Sequence, residues 1–445
     1  MRGRRAALAV ALTAAVAVLA GAAVWLVRSA APERGVTVLA SWTGDDAAAF
    51  AELTDAFTAE TGIAVNYQGT TALREVLLSQ VQSGSPPDIA ILPSLGQLAE
   101  YVERGLAFPL DGAFDERGEA ELRAAYGAPW LSPEGLGEPG SIYWFPVKAD
   151  LKSLVWYDRS RPSADPADGE SWCLGMGSDA TSGWPGTDWI EDLLLQAPGG
   201  LDVYEAWATG DHARWTSPEM RAAWRAFGEL VTGNGSGRAV ESLTTDYFVA
   251  SAGLAPDAGP GAQSCALDHR ESNARSAYGA ADIAYSPSAE VFPGTAGAPN
   301  AWEVGGDFAA LFRQDPDAEA LMAFLASEEA QEIWVREASG DASTPLSAHA
   351  GAEAFTGDTD PLTAALTGHL RGAETPRCLD ASDTMPPALR EAFHLEVLTF
   401  LADVPAHLDD PTLLDALLQR LRATGESTAA AHATWLTSTC GPPPR

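Results

Sequence analysis

The sequence predicts an α/β protein built as two compact lobes, and two observations carry that prediction. Strand and helix patterns alternate three times over residues 36–105, and 445 residues exceed one ordinary domain of about 100–200 residues. A hydrophobic fraction of 46% leaves enough apolar side chain for two cores.

The elements follow in order. Val36-Thr37-Val38-Leu39-Ala40 has the apolar run of a buried strand. Phe50, Leu53 and Phe57 then recur at helical spacing, and Gly62 stands where a helix C-cap belongs. Ile63-Ala64-Val65-Asn66-Tyr67 is the next strand. A second helix carries Leu73, Val76, Leu77 and Val81 on one face and stops at Gly84. Pro86-Pro87 lead into a third strand over 88–92, and a third helix (Leu95, Leu98, Val102) ends at Gly105. This βαβαβα order implies a parallel sheet covered on both faces. Ligands in such sheets sit beyond the carboxyl ends of the strands, so residues 41–44, 69–71 and 93–95 face the expected site. Residues 127–140 and 160–170 are loops rich in turn-forming residues, and strands are expected at 142–147 and 153–157. Helices are expected at 188–209, 218–232, 317–326, 328–338, 387–402 and 411–435. Residues 233–300 are Gly/Ala/Ser/Pro-rich, and their periodicity is too weak to place elements.

The N-terminus is a targeting segment. Arg2, Arg4 and Arg5 precede an uncharged run at 6–27, which Arg28 closes. Basic residues before an apolar run of that length place the rest of the chain outside the cytoplasm. Ala20-Gly21-Ala22 offers a cleavage signal, but the apolar run continues past it, so the segment reads as a signal anchor or a cleaved signal peptide. The first Cys is Cys173, which excludes a lipid anchor at the N-terminus.

The formal charge of −34 is spread along the chain, which argues against nucleic acid and anionic membrane as partners. Basic residues are nearly all Arg and Ala is abundant, a pattern of high-GC coding bias. Four Cys in an exported chain (Cys173, Cys265, Cys378 and Cys440) imply two structural disulfides. Three connectivities are open, and pairing nearest neighbours in order gives Cys173–Cys265 and Cys378–Cys440.

Candidate ligand contacts are aromatic faces and carboxylates, the groups that hold a polyhydroxylated molecule. Trp42 and Thr43 follow the first strand; the competing reading of Trp42 is packing at the sheet edge. The stretch from Trp172 to Asp192 contains three Trp and several carboxylates. Ser182-Gly183-Trp184-Pro185-Gly186 is a loop that presents Trp184, whereas Trp189 fits a core. Asp188 is a helix cap or first-turn residue, or a ligand contact. Trp302 and Asp307 flank Gly305-Gly306, two glycines that after a strand allow close backbone approach or hinge rotation, or form an ordinary turn. Asp380 and Asp383 precede a helix, as a cap or as a grip on vicinal hydroxyls. The chain has no G-x-S-x-G, H-E-x-x-H, P-loop or EF-hand motif, and its seven His do not cluster. No catalytic residue, cofactor or metal is therefore expected.

Three segments are specific in combination: Gly84-Ser85-Pro86-Pro87-Asp88-Ile89, Lys152-Ser153-Leu154-Val155-Trp156-Tyr157 and Asp188-Trp189-Ile190-Glu191-Asp192. With residues 38–44, 60–63, 147–151, 304–307 and 380–386, they resemble the family 1 extracellular solute-binding proteins, the sugar receptors of ABC importers. The resemblance lies with the subgroup of α-glucoside and oligosaccharide receptors and spans nearly the whole chain after residue 35. It implies a periplasmic-binding-protein-like, type II, hinge-bending fold. On that reading residues 1–35 are signal and linker. Residues 36–147 and 303–348 form the N-terminal lobe, and 148–302 and 349–445 the C-terminal lobe. It further implies a monomer on the outer face of the membrane or secreted. A carbohydrate would bind between the lobes at Trp42, Thr43, Trp184, Asp188, Trp302, Asp307 and Asp383, and ABC permease subunits would be the partners. The chain departs from the family pattern between Tyr157 and Trp172, where only residues 158–171 replace a longer helical segment. Two alternatives follow: a repurposed membrane-anchored sensor or interaction protein of the same fold, and an exported carbohydrate hydrolase.

Overall fold

A computed structural model describes residues 35–441, apart from 162, 234–236, 260, 280, 296–298, 338–344, 352–360, 373–374, 432–435 and 437. The N-terminal apolar run, and with it the choice between anchor and cleaved peptide, lies outside the described residues. Among the described residues no helix is long and apolar enough to cross a membrane.

The early alternation folds as expected. β1 (Gly35–Ala40) pairs in parallel with both β2 (Ala64–Gly69) and β3 (Ile89–Leu92). The helices Gly44–Thr61, Leu73–Gln82 and Leu95–Glu103 follow these strands in turn. Phe50, Leu53 and Phe57 bury the inner face of the first, and Gly62 caps it. β4 (Trp144–Leu151) runs four residues beyond the expected strand. β5 (Leu154–Asp158) then enters a second, three-stranded sheet between β6 (Asp268–His269) and β7 (Ile283–Pro287).

The main sheet is not wholly parallel. β8 (Trp302–Leu311) lies antiparallel between β3 and β4. β9 (Arg377–Leu379) joins β8 in parallel, and β10 (Cys440–Gly441) closes that edge antiparallel to β9. Local alternation fixes only the local crossovers, whereas β8 arrives from more than 200 residues away and brings its own direction. Gly305 and Gly306 sit inside β8, not in a turn after it. A Cβ on Gly306 would stand 2.3 Å from the Lys148 carbonyl oxygen of β4, so close strand approach explains that glycine.

The expected 188–209 helix is two helices, Trp184–Gln196 and Gly200–Ala208, because Ala197-Pro198-Gly199 breaks the run. Pro218–Thr232, Pro316–Leu325, Glu328–Glu337 and Pro387–Ala402 match the expected helices closely, and Pro411–Ala431 matches the described part of the last. The helix Pro361–Arg371 was not expected. Two apolar clusters support these layers. One packs β1, β3, β4 and β8 against their helices. The other is rich in aromatics, including Trp172, Trp189, Trp207, Trp215, Trp224, Phe393 and Phe400. The disulfides are Cys173–Cys265 and Cys378–Cys440. The second joins β9 to β10 at directly paired positions.

Candidate functional site

A cavity of about 440 Å³ opens beyond the carboxyl ends of β1 and β3. One wall comes from Ser41, Trp42 and Thr43 after β1, Thr71 after β2, and Pro93 and Ser94 after β3. The opposite wall comes from Trp184 and Asp188 of the Trp184–Gln196 helix and from Asp380, Ser382, Asp383 and Arg390. Between them lie Lys148 and Asp150 of β4, Lys152 just past its end, and Gly306 and Asp307 of β8. All three predicted loops reach the cavity because a parallel βαβ unit points its strand ends the same way. The walls also touch. The Ser94 hydroxyl lies 3.5 Å from the Asp383 carbonyl, and the Arg74 guanidinium pairs with Glu391. A Cβ on Gly96 would collide with the Met385 carbonyl at 1.9 Å, so only glycine permits this approach.

Of the seven predicted contact residues, the structure brings six to this cavity: Trp42, Thr43, Trp184, Asp188, Asp307 and Asp383. Trp302 is the correction. Its ring is buried against His369 with centroids 4.5 Å apart, outside the lining. It lies five residues from Asp307 on β8, and alternation along the strand turns the two side chains to opposite faces, so neighbourhood in sequence did not carry over into space. Asp188 is not a cap either. Gly183 precedes the helix, leaving Asp188 one turn inside it, where its carboxylate meets Lys152 at 3.3 Å. Asp380 does cap the short Ala381–Thr384 helix through the Asp383 amide.

The Trp172–Asp192 stretch divides between core and cleft. Trp172 and Trp189 are core residues, their rings 4.7 Å apart and edge-on. Trp184 is half-buried at the cavity, with its edge against Tyr247. The Arg270 guanidinium lies over both rings, 4.7 Å from Trp184 and 4.5 Å from Tyr247. Trp42 is also mostly enclosed, packed on Phe50 and Trp334, but its indole N–H donates to Asp307 at 2.9 Å. That bond aims Asp307 into the cavity.

Sequence reading missed the cations. Lys152 bridges Asp188 and Asp380, and Lys148 lies 3.5 Å from Asp150. These are the chain's two lysines. In a protein whose other basic residues are all Arg, both line one cavity, and that composition was the available signal. Lys152 packs over β8 at Gly305, where an added Cβ would stand 3.0 Å from the Lys152 Cε.

Burial pushes Asp188 and Asp307 upward, opposed by Lys152 and Lys148 respectively. Burial also raises Asp150 to about 6, against the pull of Lys148. Asp383 is raised to about 6 by burial and by the Asp380 charge. Burial would raise Asp380 as well, but Lys152 and the hydrogen bonds from Asp383 and Ser382 hold it below the usual carboxylate range. The lining therefore alternates anchored acceptors with ammonium donors. Oδ1 of Asp188 has no partner among the described residues. Such an array suits hydroxyl groups, each of which donates and accepts.

The profile of the bacterial extracellular solute-binding protein family matches residues 40–332, well over half of the chain. Among curated relatives, the alpha-glucosides-binding periplasmic protein AglE of Rhizobium meliloti is 29% identical over 342 residues, covering 68% of this chain and 71% of AglE. The osmoprotective compounds-binding protein GgtB of Synechocystis sp. is 29% identical over 382 residues, covering 80% of this chain and 85% of GgtB. Among solved structures, the bacterial solute receptor AcbH superposes with a TM-score of 0.67 at 16% identity, covering 89% of this chain and 98% of AcbH. At that identity the likeness establishes the shared two-lobe fold.

Proposed function

Because the chain belongs to the bacterial extracellular solute-binding protein family, we propose that it is the extracytoplasmic carbohydrate receptor of an ABC importer. The observation that carries this reading is the cavity, where anchored carboxylates and two lysines surround a space of about 440 Å³ edged by Trp184. Its ligand is a glucoside or oligosaccharide, a class to which the name of the relative AglE also points. Trp184 covers an apolar sugar face, and Thr43, Asp188, Asp307 and Asp383 take hydroxyls. Trp42 acts mainly by aiming Asp307. The lobes divide at residues 36–147 with 303–348 and 148–302 with 349–445, and they close on the ligand. The closed form is what the membrane permease reads. The protein works as a monomer outside the cytoplasm and binds without turnover.

A thermal-shift panel of α- and β-linked oligosaccharides tests the reading, since a ligand of the folded state raises the melting temperature by mass action. Stabilisation by an α-glucoside is the expected result. A flat panel removes the carbohydrate reading, and release of free sugar during incubation removes binding without turnover. A second reading, a sensor of the same fold serving no importer, is favoured by the short 158–171 segment. A permease gene beside this one argues against it.

A further inference from the structure

Behind the cavity, three acids from distant parts of the chain converge. Glu191 comes from the Trp184–Gln196 helix, Glu303 from the start of β8, and Asp380 from the turn after β9. Each offers a carboxylate oxygen, and these oxygens all lie within 4.8 Å of one another. Glu191 and Glu303 are fully buried and Asp380 is 1% exposed.

The hydrogen bonds around them are unevenly spent. Asp380 is engaged on both oxygens, by Ser382 and the Asp383 amide on one and by Lys152 on the other. Glu191 uses Oε2 to accept from the amides of Ala381 and Ser382. Among the described residues its Oε1 has no partner, and neither oxygen of Glu303 has one. A buried carboxylate without a partner is among the most costly features a fold carries. Here three unpartnered oxygens belong to two neighbouring acids. Lys152 is the cation at the cluster, and Asp188 shares it.

We propose that Glu191, Glu303 and Asp380 form a binding site for one divalent hard cation of the calcium class. An all-oxygen donor set with free carboxylate lone pairs suits calcium or magnesium over zinc or copper. Full burial favours calcium, because magnesium gives up its bound waters reluctantly and calcium accepts flexible, bidentate carboxylates. Glu303 supplies both free oxygens, Glu191 supplies Oε1, and Asp380 ties the site to Lys152. The cation would thereby fix β8, β9 and the Trp184–Gln196 helix to one another directly behind Asp188. This site departs from the absence of metal expected from the sequence, and it does not rest on the carbohydrate reading.

The test uses the full exported chain after exhaustive chelation. Calcium alone, magnesium alone and buffer are compared by melting temperature, and metal content is measured after desalting. The expected result is one calcium per chain and an increase of several degrees with calcium that magnesium does not match. Glu303→Gln should abolish both, and Glu191→Gln serves if the first variant fails to fold. Equal calcium shifts in wild type and variant overturn the site and assign the effect to the acidic surface. No shift in wild type, with Glu303→Gln as stable as wild type or more so, also overturns it and assigns the space to a shared proton.

Discussion

Two tryptophans test the division between the proposed ligand contacts and the scaffold. Trp184 edges the cavity, so Trp184→Ala should weaken carbohydrate binding by about 1–3 kcal/mol with little change in melting temperature. Trp302 is buried against His369 outside the cavity. Its replacement by Ala should cost about 3–5 kcal/mol of stability while leaving the affinity of the folded fraction intact. Titration calorimetry and denaturant unfolding on the two variants read these opposite patterns; a swap between them would reverse the assignments. Asp150 makes a pH-dependent prediction. It faces Lys148 of β4, Lys152 just past the end of β4, Glu271 from the turn after β6, and Asp307 from β8. Burial raises its folded pKa to about 6, above the unfolded value, so the folded state binds the proton more tightly. Its favourable contribution is full below pH 4 and is lost as pH rises through 6, with a slope of order 1 kcal/mol per pH unit. Asp150→Asn should flatten that part of the stability profile, which urea melts at pH 4, 5, 6 and 7 would measure. An unchanged slope assigns the titration elsewhere.

At the scale of elements, legibility followed the range of the interactions. The first three crossovers were readable because each strand and helix pairs with its neighbours in sequence, and Phe50, Leu53 and Phe57 mark the buried face plainly. β8 was not readable as the antiparallel centre of the sheet, because its partners β3 and β4 lie far back in the chain. Trp302 is misplaced for a local reason: two residues near each other on a ten-residue strand face different environments because side chains alternate along it. Six predicted contacts reached the cavity because they sit at strand ends and helix starts, where topology sets position. Lys148 and Lys152 are hard to single out because an arginine-rich composition reads as coding bias, although these two exceptions carry the information. The disulfide Cys378–Cys440 holds the short β10 against β9 at the sheet edge. Replacing both with Ala should cost about 2–5 kcal/mol. Thermal melts of reduced, oxidised and double-variant protein would check this, and loss of β10 alone should leave sugar affinity nearly unchanged.

For the whole molecule, the central claim is that two walls from different lobes hold one carbohydrate. Trp42, Thr43 and Asp307 stand on one side, and Trp184, Asp188 and Asp383 on the other. The Arg74–Glu391 pair links the walls at the rim, where both side chains are about half exposed. An exposed pair contributes little, so Glu391→Ala should weaken binding by no more than about 1 kcal/mol, mostly through faster release. The most direct test of the central claim is titration calorimetry with the sugar that stabilises the protein best. It would be run on wild type, on Trp184→Ala and on Thr43→Ala, one variant from each wall. The account predicts one saturable site in wild type and weaker binding in both variants at unchanged stability. Binding insensitive to both substitutions, or no binding heat with any sugar, would contradict it.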